Sequence, residues 1–207
     1  MELYVDDCRT DPGVGPSAPL SDVVDAVKER SVERRRLIVS IACDGMDVTG
    51  QGFADKLAQP AEGFGRIDMH TAEPEALVQE ALATAGRLLD ASEQAIAQVV
   101  EMLAQGKAGV ALPRLAECCQ AWLQVHEGIC NAIAVLDIDP EGLELDGRAL
   151  PELMAEPLER LQQLKETVEA QDHVLLGDIL TYEFPGAISS WRTLIDAVAA
   201  RVPAATK

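Results

Sequence analysis

From Pro74 onwards the apolar residues of this chain recur with the spacing of an α-helix, and the periodicity continues through most of the remaining sequence. Before Pro74, short runs that alternate apolar and polar residues are separated by segments rich in glycine and proline. A period of two residues is typical of half-buried strands, whereas a period of 3.6 is typical of amphipathic helices. The change of period predicts an α+β chain that is mostly helical, with a small module over residues 1–72 and a helical bundle over residues 73–207.

The bundle region contains three long stretches with helical periodicity, at residues 73–105, about 112–136 and 157–203. As one straight helix the last stretch would be about 69 Å long at 1.5 Å per residue, and neither of the other two is long enough to cover it. Pro185 interrupts this stretch, and proline both removes a backbone N–H and disfavours helical conformation in the preceding residue. We therefore expect the chain to kink or turn back at Pro185–Gly186, which would complete a four-helix bundle.

The first 72 residues carry the signals of a sheet with three or four strands and one or two helices. The clearest strand is the segment LIVSIAC, whose alternation predicts that Leu37, Val39, Ile41 and Cys43 face inward. Asp44-Gly45 follows directly, and this dipeptide favours a two-residue hairpin turn. Further strands are predicted at residues 2–5 and 66–72, and helices at residues 20–30 and 52–58.

The chain is strongly acidic, with 17 Lys and Arg against 35 Asp and Glu and a formal net charge of −18 at pH 7. Binding to nucleic acid requires a dense surface of lysine and arginine, so the composition argues against a nucleic-acid partner. The acidic excess is largest in the bundle region, where residues 73–207 carry 9 basic and 22 acidic side chains, a net charge of −13. Such a surface is well solvated, and it can also attract a basic partner.

Neither the amino terminus nor the hydropathy predicts membrane targeting. The sequence has no stretch of about 18 uninterrupted apolar residues, and its first residues lack the layout of a signal peptide. The five cysteines show no zinc-like spacing, which is typical of reduced, buried thiols in a cytoplasmic protein. We therefore expect a cytoplasmic protein without a membrane association or a cofactor.

Four polar side chains in the bundle region are candidates for a functional site. On a helical projection His126 and His173 both lie within apolar stripes, while Asp172 and Glu183 border the stripe that contains His173. A metal or proton-relay site built from these groups is one alternative. The sequence lacks the two Glu-x-x-His motifs that di-iron bundles use, which favours buried histidines hydrogen bonded to neighbouring groups. We accordingly predict no catalytic, cofactor-binding or metal-binding residues, and we keep the four groups as polar candidates.

Two other motifs have simpler interpretations. The segment DIDPEG at residues 137–142 resembles the start of a calcium-binding loop, but the twelfth position would be Arg148, where calcium binding requires a glutamate. An acidic turn between helices is the better interpretation. The basic run that ends at Arg36 is expected to be the solvated end of a helix, or to pair with the acidic bundle within the chain or across a dimer. The sequence contains no nucleotide-binding fingerprint and no serine-nucleophile motif.

The stretch DHVLLGDILTYEF at residues 172–184 contains the pattern D-x-x-L-L-x-D-x-L-x-Y-E, formed by Asp172, Leu175, Leu176, Asp178, Leu180, Tyr182 and Glu183. This pattern resembles a carboxy-terminal segment of uncharacterised bacterial proteins that end in long helices. The resemblance implies a helical bacterial protein without an established activity. It also implies that the polar positions of this helix are more than incidental.

These features together predict a non-catalytic protein that acts through protein–protein contact, as an interaction or adaptor module and as a homodimer. The prediction depends on the long amphipathic helices, the uneven charge and the lack of an assembled catalytic set. One alternative is a ligand-binding or metal-binding bundle, or an enzyme, that uses the core histidines His126 and His173. Another is a bundle that resembles an export chaperone, which is an analogy of fold alone.

Overall fold

A computed structural model describes residues 1–15, 17–50, 52–140, 144–145 and 147–203. The fold is α+β and mostly helical, as the change of hydrophobic period predicts. The chain divides into two compact units, Met1–Leu77 and Val78–Lys207. The last strand of the first unit ends at Ala72, and the first long helix begins at Pro74.

The first unit is a five-stranded sheet with a helix packed on it. The strands are β1 (Glu2–Val5), β2 (Cys8–Thr10), β3 (Leu37–Cys43), β4 (Met46–Asp47) and β5 (Arg66–Ala72). Their spatial order is β2-β1-β5-β3-β4; β1 and β5 are parallel, and the other neighbours are antiparallel. Helix α1 (Leu20–Glu33) and short helix α2 (Phe53–Leu57) complete the unit. The core joins apolar residues of α1 to the sheet: Leu20, Val23, Val27, Leu3, Ile41, Ile67 and Met69.

The inward-facing residues of β3 differ from those that simple alternation predicts. Ile41 and Cys43 are buried as expected, but Val39 is 47% exposed and Leu37 is 36% exposed. The register between β3 and β5 shifts across Val39, which marks a β-bulge. Because a bulge adds one residue to a strand, side chains that precede it change face. The prediction that Leu37 and Val39 face inward is therefore wrong. The Asp44-Gly45 turn is confirmed, with φ angles of +51° and +77°.

The basic run after α1 contributes to a hydrogen-bonded network within the first unit. Arg36 donates from Nε to Oγ1 of Thr71 and from Nη2 to the Thr71 carbonyl oxygen, both at 2.6 Å. The carboxylate of Asp6 accepts from the backbone N–H of Thr71 at 2.7 Å and from its hydroxyl at 2.6 Å. Burial acts to raise the pKa of Asp6, but the Thr71 hydrogen bonds and the Arg36 charge outweigh it, so the pKa is lowered. Arg36 thus connects strand ends inside its own unit.

The second unit is a bundle of long helices. It comprises most of α3 (Pro74–Ala104), α4 (Ala108–Val135), α5 (Leu150–Glu169) and a last helical run formed by α6 (His173–Asp178), a π-helix (Ile179–Glu183) and α7 (Phe184–Ala199). Apolar side chains from all of these helices form one continuous core. Over the residues that the structure describes, none of the helices has the length and hydropathy needed to span a bilayer.

The chain does not turn back at Pro185, because the last helical run continues through it. Pro185 lies in the first turn of α7, directly after the π-helix. A proline clashes with the carbonyl four residues earlier in a regular α-helix, and the wider π-turn relieves that crowding. The chain turns instead between α5 and α6, where Gln171 adopts a φ of +56° and Asp172 caps α6. Both α6 and α7 then pack against α5.

The acidic connection between α4 and α5 contains a short hairpin, formed by β6 (Glu144–Leu145) and β7 (Arg148–Ala149). Of the residues that resemble a calcium loop, Glu141 and Gly142 lie outside the described residues. Arg148 forms an ion pair with Glu156 of α5, with 2.9 Å between Nη2 and Oε2. The residue at the loop's twelfth position therefore joins the hairpin to the bundle.

Candidate functional site

The two carboxylates predicted as site candidates each have a partner of their own. Asp172 accepts the backbone N–H of Leu175 at 2.9 Å and so caps the start of α6. Glu183 is exposed, and its Oε2 accepts from Nη1 of Arg160 on α5 at 2.6 Å. The first carboxylate stabilises a helix end, and the second links α5 to the last helical run.

The two candidate histidines are half-buried. Nδ1 of His126 is buried and has no hydrogen-bond partner among the described residues, so the hydrogen bond expected for this nitrogen is not formed. Burial lowers the pKa of His126, because the charged imidazolium is poorly solvated there, and the ring is neutral at pH 7. His173 is the first residue of α6. Within the described part of the chain, no three His, Cys, Asp or Glu side chains are grouped as a metal ion would require.

The bundle core contains a cluster of three aromatic side chains, one from α4 and two from α7. The ring centroid of Trp122 lies 4.1 Å from that of Phe184 and 6.4 Å from that of Trp191. Nε1 of Trp122 donates to Oγ of Ser92 at 2.8 Å, and Ser92 Oγ donates to the Leu89 carbonyl oxygen at the same distance. These buried polar atoms therefore join α3 to α4 and serve the packing of the bundle.

An open apolar groove of about 670 Å³ lies between α4 and α5, and we refer to it as the α4–α5 groove. Its apolar lining consists of Leu112, Leu115, Ala116, Cys119 and Leu123 on α4, with Leu158, Leu161, Leu164 and Val168 on α5. Leu115 and Leu164 are buried, whereas Leu123 is 52% exposed and Leu158 is 38% exposed. The groove thus has an apolar floor that continues into exposed leucine side chains.

The thiol of Cys119 behaves as part of this apolar lining. Burial raises its pKa to about 11, and the neighbouring Cys118 acts in the same direction. A thiol with such a pKa is protonated at pH 7 and is a poor nucleophile and a poor metal ligand. The groove therefore resembles a binding surface, and Cys119 contributes apolar surface to it rather than a reactive thiolate.

Polar and charged side chains form the rim of the groove. Gln120 of α4 and Gln162, Lys165 and Glu169 of α5 contribute to it. Nζ of Lys165 lies 4.0 Å from Oε1 of Glu169, and both side chains are 66% exposed. An apolar centre with a polar, solvated rim is the usual arrangement of a protein–protein interface.

The amphipathic pattern of α4 does not by itself identify the groove. In the structure the core stripe of α4 runs through Trp122 and Ile129, while Cys119 and Leu123 form part of a second stripe. A usable signal is the low charge of this helix, because its 28 residues include only three charged side chains: Arg114, Glu117 and Glu127. A helix so poor in charge has apolar surface beyond a single core face.

Comparison with curated proteins and with solved structures gives no match. Residues 80–194 match a protein family without an assigned function, as the resemblance of residues 172–184 implies. The matched region includes all of α4 and α5 with most of α3 and α7, so it contains the whole groove. Because the match covers more than half of the 207 residues, the chain belongs to the family described as Domain of unknown function (DUF8042).

Proposed function

We propose that this protein is a non-catalytic interaction module, or adaptor, whose helical bundle binds another protein through the α4–α5 groove. The observation that supports the proposal is the exposure of Leu123 and Leu158 beside an apolar groove of about 670 Å³. Exposed apolar surface that is contiguous and has a polar rim marks interaction sites in soluble proteins. Covering it with a partner removes apolar area from water, which is the main driving force of association.

The chemistry of the remaining bundle residues is consistent with binding rather than with catalysis. Asp172 and Glu183 are engaged within the chain, and the thiol of Cys119 is protonated at pH 7. His126 and Trp191 are the described bundle residues with a buried, unpartnered ring nitrogen. The indole of Trp191 does not titrate, and burial lowers the pKa of His126, so its imidazole is neutral at pH 7.

The experiment compares the proteins that co-purify with three tagged forms of the chain from its native cells. The groove variant combines Leu123→Gln with Leu158→Gln, which removes apolar surface without changing the charge. The control is Val174→Gln, because Val174 is 78% exposed on α6 and does not line the groove. Circular dichroism confirms that all three are equally folded.

The proposal predicts that at least one protein is enriched by the wild type and by the control, and is lost with the groove variant. If every enriched protein is retained by the groove variant, the groove is not the docking site and the proposal is wrong. Enrichment that the control also abolishes would contradict it as well, because the binding would then depend on α6.

A further inference from the structure

We infer that the occupant of the α4–α5 groove is a single amphipathic helix whose apolar stripe is flanked by lysine or arginine side chains. This inference rests on the proposed function and adds the secondary structure and the charge of the partner segment. Two observations carry it: the length of the groove, and the distribution of charge on the two helices that form it.

The groove has the length of about three helical turns. Its lining extends from Leu112 to Leu123 on α4, and from Leu158 to Glu169 on α5. Eleven residues in a helix correspond to about 16 Å at 1.5 Å per residue. An extended peptide of that length would contain only about five residues and would present alternate side chains to opposite sides. A helix of about 11 residues instead presents three or four apolar side chains along one face, which is the helix-in-groove mode of recognition.

The two groove helices carry a net negative charge. Together α4 and α5 contain seven acidic and three basic side chains, a net charge of −4. Within the span of the groove on α5, from Leu158 to Glu169, three of these carboxylates belong to Glu159, Glu166 and Glu169, against the two basic side chains Arg160 and Lys165. The potential at the groove therefore favours a cationic segment.

The pairing of these charges strengthens that conclusion. Each basic side chain of α4 and α5 already has a carboxylate partner: Arg114 with Glu117, Arg160 with Glu183, and Lys165 with Glu169. In contrast, four carboxylates of the same helices have no ion-pair partner among the described residues, namely Glu127, Glu152, Glu159 and Glu166. The described surface of the two helices thus offers unpaired anions and no unpaired cation. A segment that supplies lysine or arginine beside its apolar stripe complements it.

A second copy of this chain is the competing occupant, since a homodimer is expected from the sequence. If two copies docked groove to groove, the symmetry would place a surface of charge −4 against an identical one. Like charges brought together in this way oppose association. The charge distribution therefore favours a basic helix from another protein over self-association through this groove.

The experiment uses the full chain and three synthetic helical peptides of about 16 residues, each with leucines at i, i+4, i+7 and i+11. The flanking positions carry lysine in the first peptide, glutamine in the second and glutamate in the third. Binding is measured by fluorescence polarisation at about 0.05 M and about 0.3 M salt. We expect the lysine peptide to bind with a dissociation constant of the order of micromolar, because so short a helix buries less area than a standard interface.

The expected pattern has three parts. The glutamate peptide binds at least about ten-fold more weakly than the lysine peptide. The higher salt concentration lowers the affinity of the lysine peptide for the protein several-fold. The Leu123→Gln/Leu158→Gln variant loses at least about ten-fold in affinity, whereas Val174→Gln does not. Glu169→Gln weakens binding of the lysine peptide and Lys165→Gln tightens it, each by about two- to five-fold, because both groups are exposed at the rim.

The results separate this inference from the proposed function. If the glutamate peptide binds as tightly as the lysine peptide and both depend on Leu123, the charge assignment is wrong while the groove remains a protein-binding site. If light scattering shows a dimer that the groove variant converts to a monomer, the occupant is a second copy and the inference is overturned. If no peptide binding responds to the groove variant and all co-purifying proteins are retained by it, both proposals fail.

Discussion

Replacing Ser92 with alanine tests whether the bundle core is organised around the hydrogen bond between α3 and α4. Oγ of Ser92 is the acceptor for the indole N–H of Trp122 at 2.8 Å, and both side chains are buried. The substitution removes the acceptor but hardly changes the volume of the core. The indole N–H of Trp122 would then be buried without its hydrogen-bond acceptor.

The expected magnitude follows from the cost of an unsatisfied buried donor. Such a donor loses the free energy of its hydrogen bond to water on folding and regains nothing, which corresponds to about 1–3 kcal/mol. Trp122 is 0% exposed, so water cannot take the place of the hydroxyl. At about 3 °C per kcal/mol for a unit of this size, the midpoint of thermal unfolding should fall by about 3–9 °C.

The assay is urea unfolding followed by tryptophan fluorescence. The only two tryptophans of the chain are Trp122 and Trp191, and both lie in the bundle core, so the signal reports on the second unit alone. A double-mutant cycle with Trp122→Phe isolates the hydrogen bond, because phenylalanine has no donor to leave unsatisfied. In the Trp122→Phe background, Ser92→Ala should lower the free energy of unfolding by less than about 0.5 kcal/mol. An equal cost of Ser92→Ala in both backgrounds, or no cost in the wild type, would refute the reasoning.

Three further predictions concern the histidine, the first unit and the thiols. Burial lowers the folded-state pKa of His126 below 6.5, so the unfolded chain binds the proton more tightly than the folded chain does. The bundle should therefore lose stability as the pH falls below about 6.5. His126→Gln should remove this part of the pH dependence of urea unfolding. Asp6→Asn should destabilise the first unit by about 1 kcal/mol, because a carboxylate that accepts two hydrogen bonds from Thr71 is lost, and hydrogen exchange of the Thr71 amide should accelerate. Maleimide should label the exposed Cys8 and Cys130 in the folded protein and the other three thiols only after unfolding, as counted by mass spectrometry.

In the first unit, hydrophobic alternation predicts the buried face of one strand correctly and that of another incorrectly. β5 follows the prediction, because Ile67, Met69 and Thr71 are buried along an uninterrupted strand. β3 departs from it, because a bulge at Val39 exchanges the faces of the residues before it. A bulge depends on the register with a partner strand, and the local sequence of one strand does not contain that register.

The last helical run shows the limits of helix-breaking residues as signals. Pro185 is a strong signal for an interruption, yet one π-turn accommodates it and the run continues. The actual turn lies at Gln171, which adopts a left-handed conformation that is more typical of glycine or asparagine. The signal that could have identified this turn is Asp172, since aspartate is a preferred residue at the start of a helix.

The candidate site was harder to predict than the fold. The sequence directs attention to histidines and carboxylates, whereas the groove is lined mainly by leucines that periodicity assigns to a core. Whether a leucine such as Leu123 is covered depends on the separation of α4 and α5, which is a property of packing between helices. The low charge of α4 shows that the helix has excess apolar surface, but it does not show which neighbour fails to cover it.

The central claim is that the α4–α5 groove binds a protein in the cell, and site-specific photo-crosslinking tests it most directly. A photoreactive phenylalanine derivative is incorporated at Leu123, and for comparison at Val174, which is also exposed but lies on α6. We expect that irradiation of intact cells joins the Leu123 form to another protein and leaves the Val174 form unmodified. Equal crosslinking at both positions, or crosslinking at Val174 alone, would contradict it.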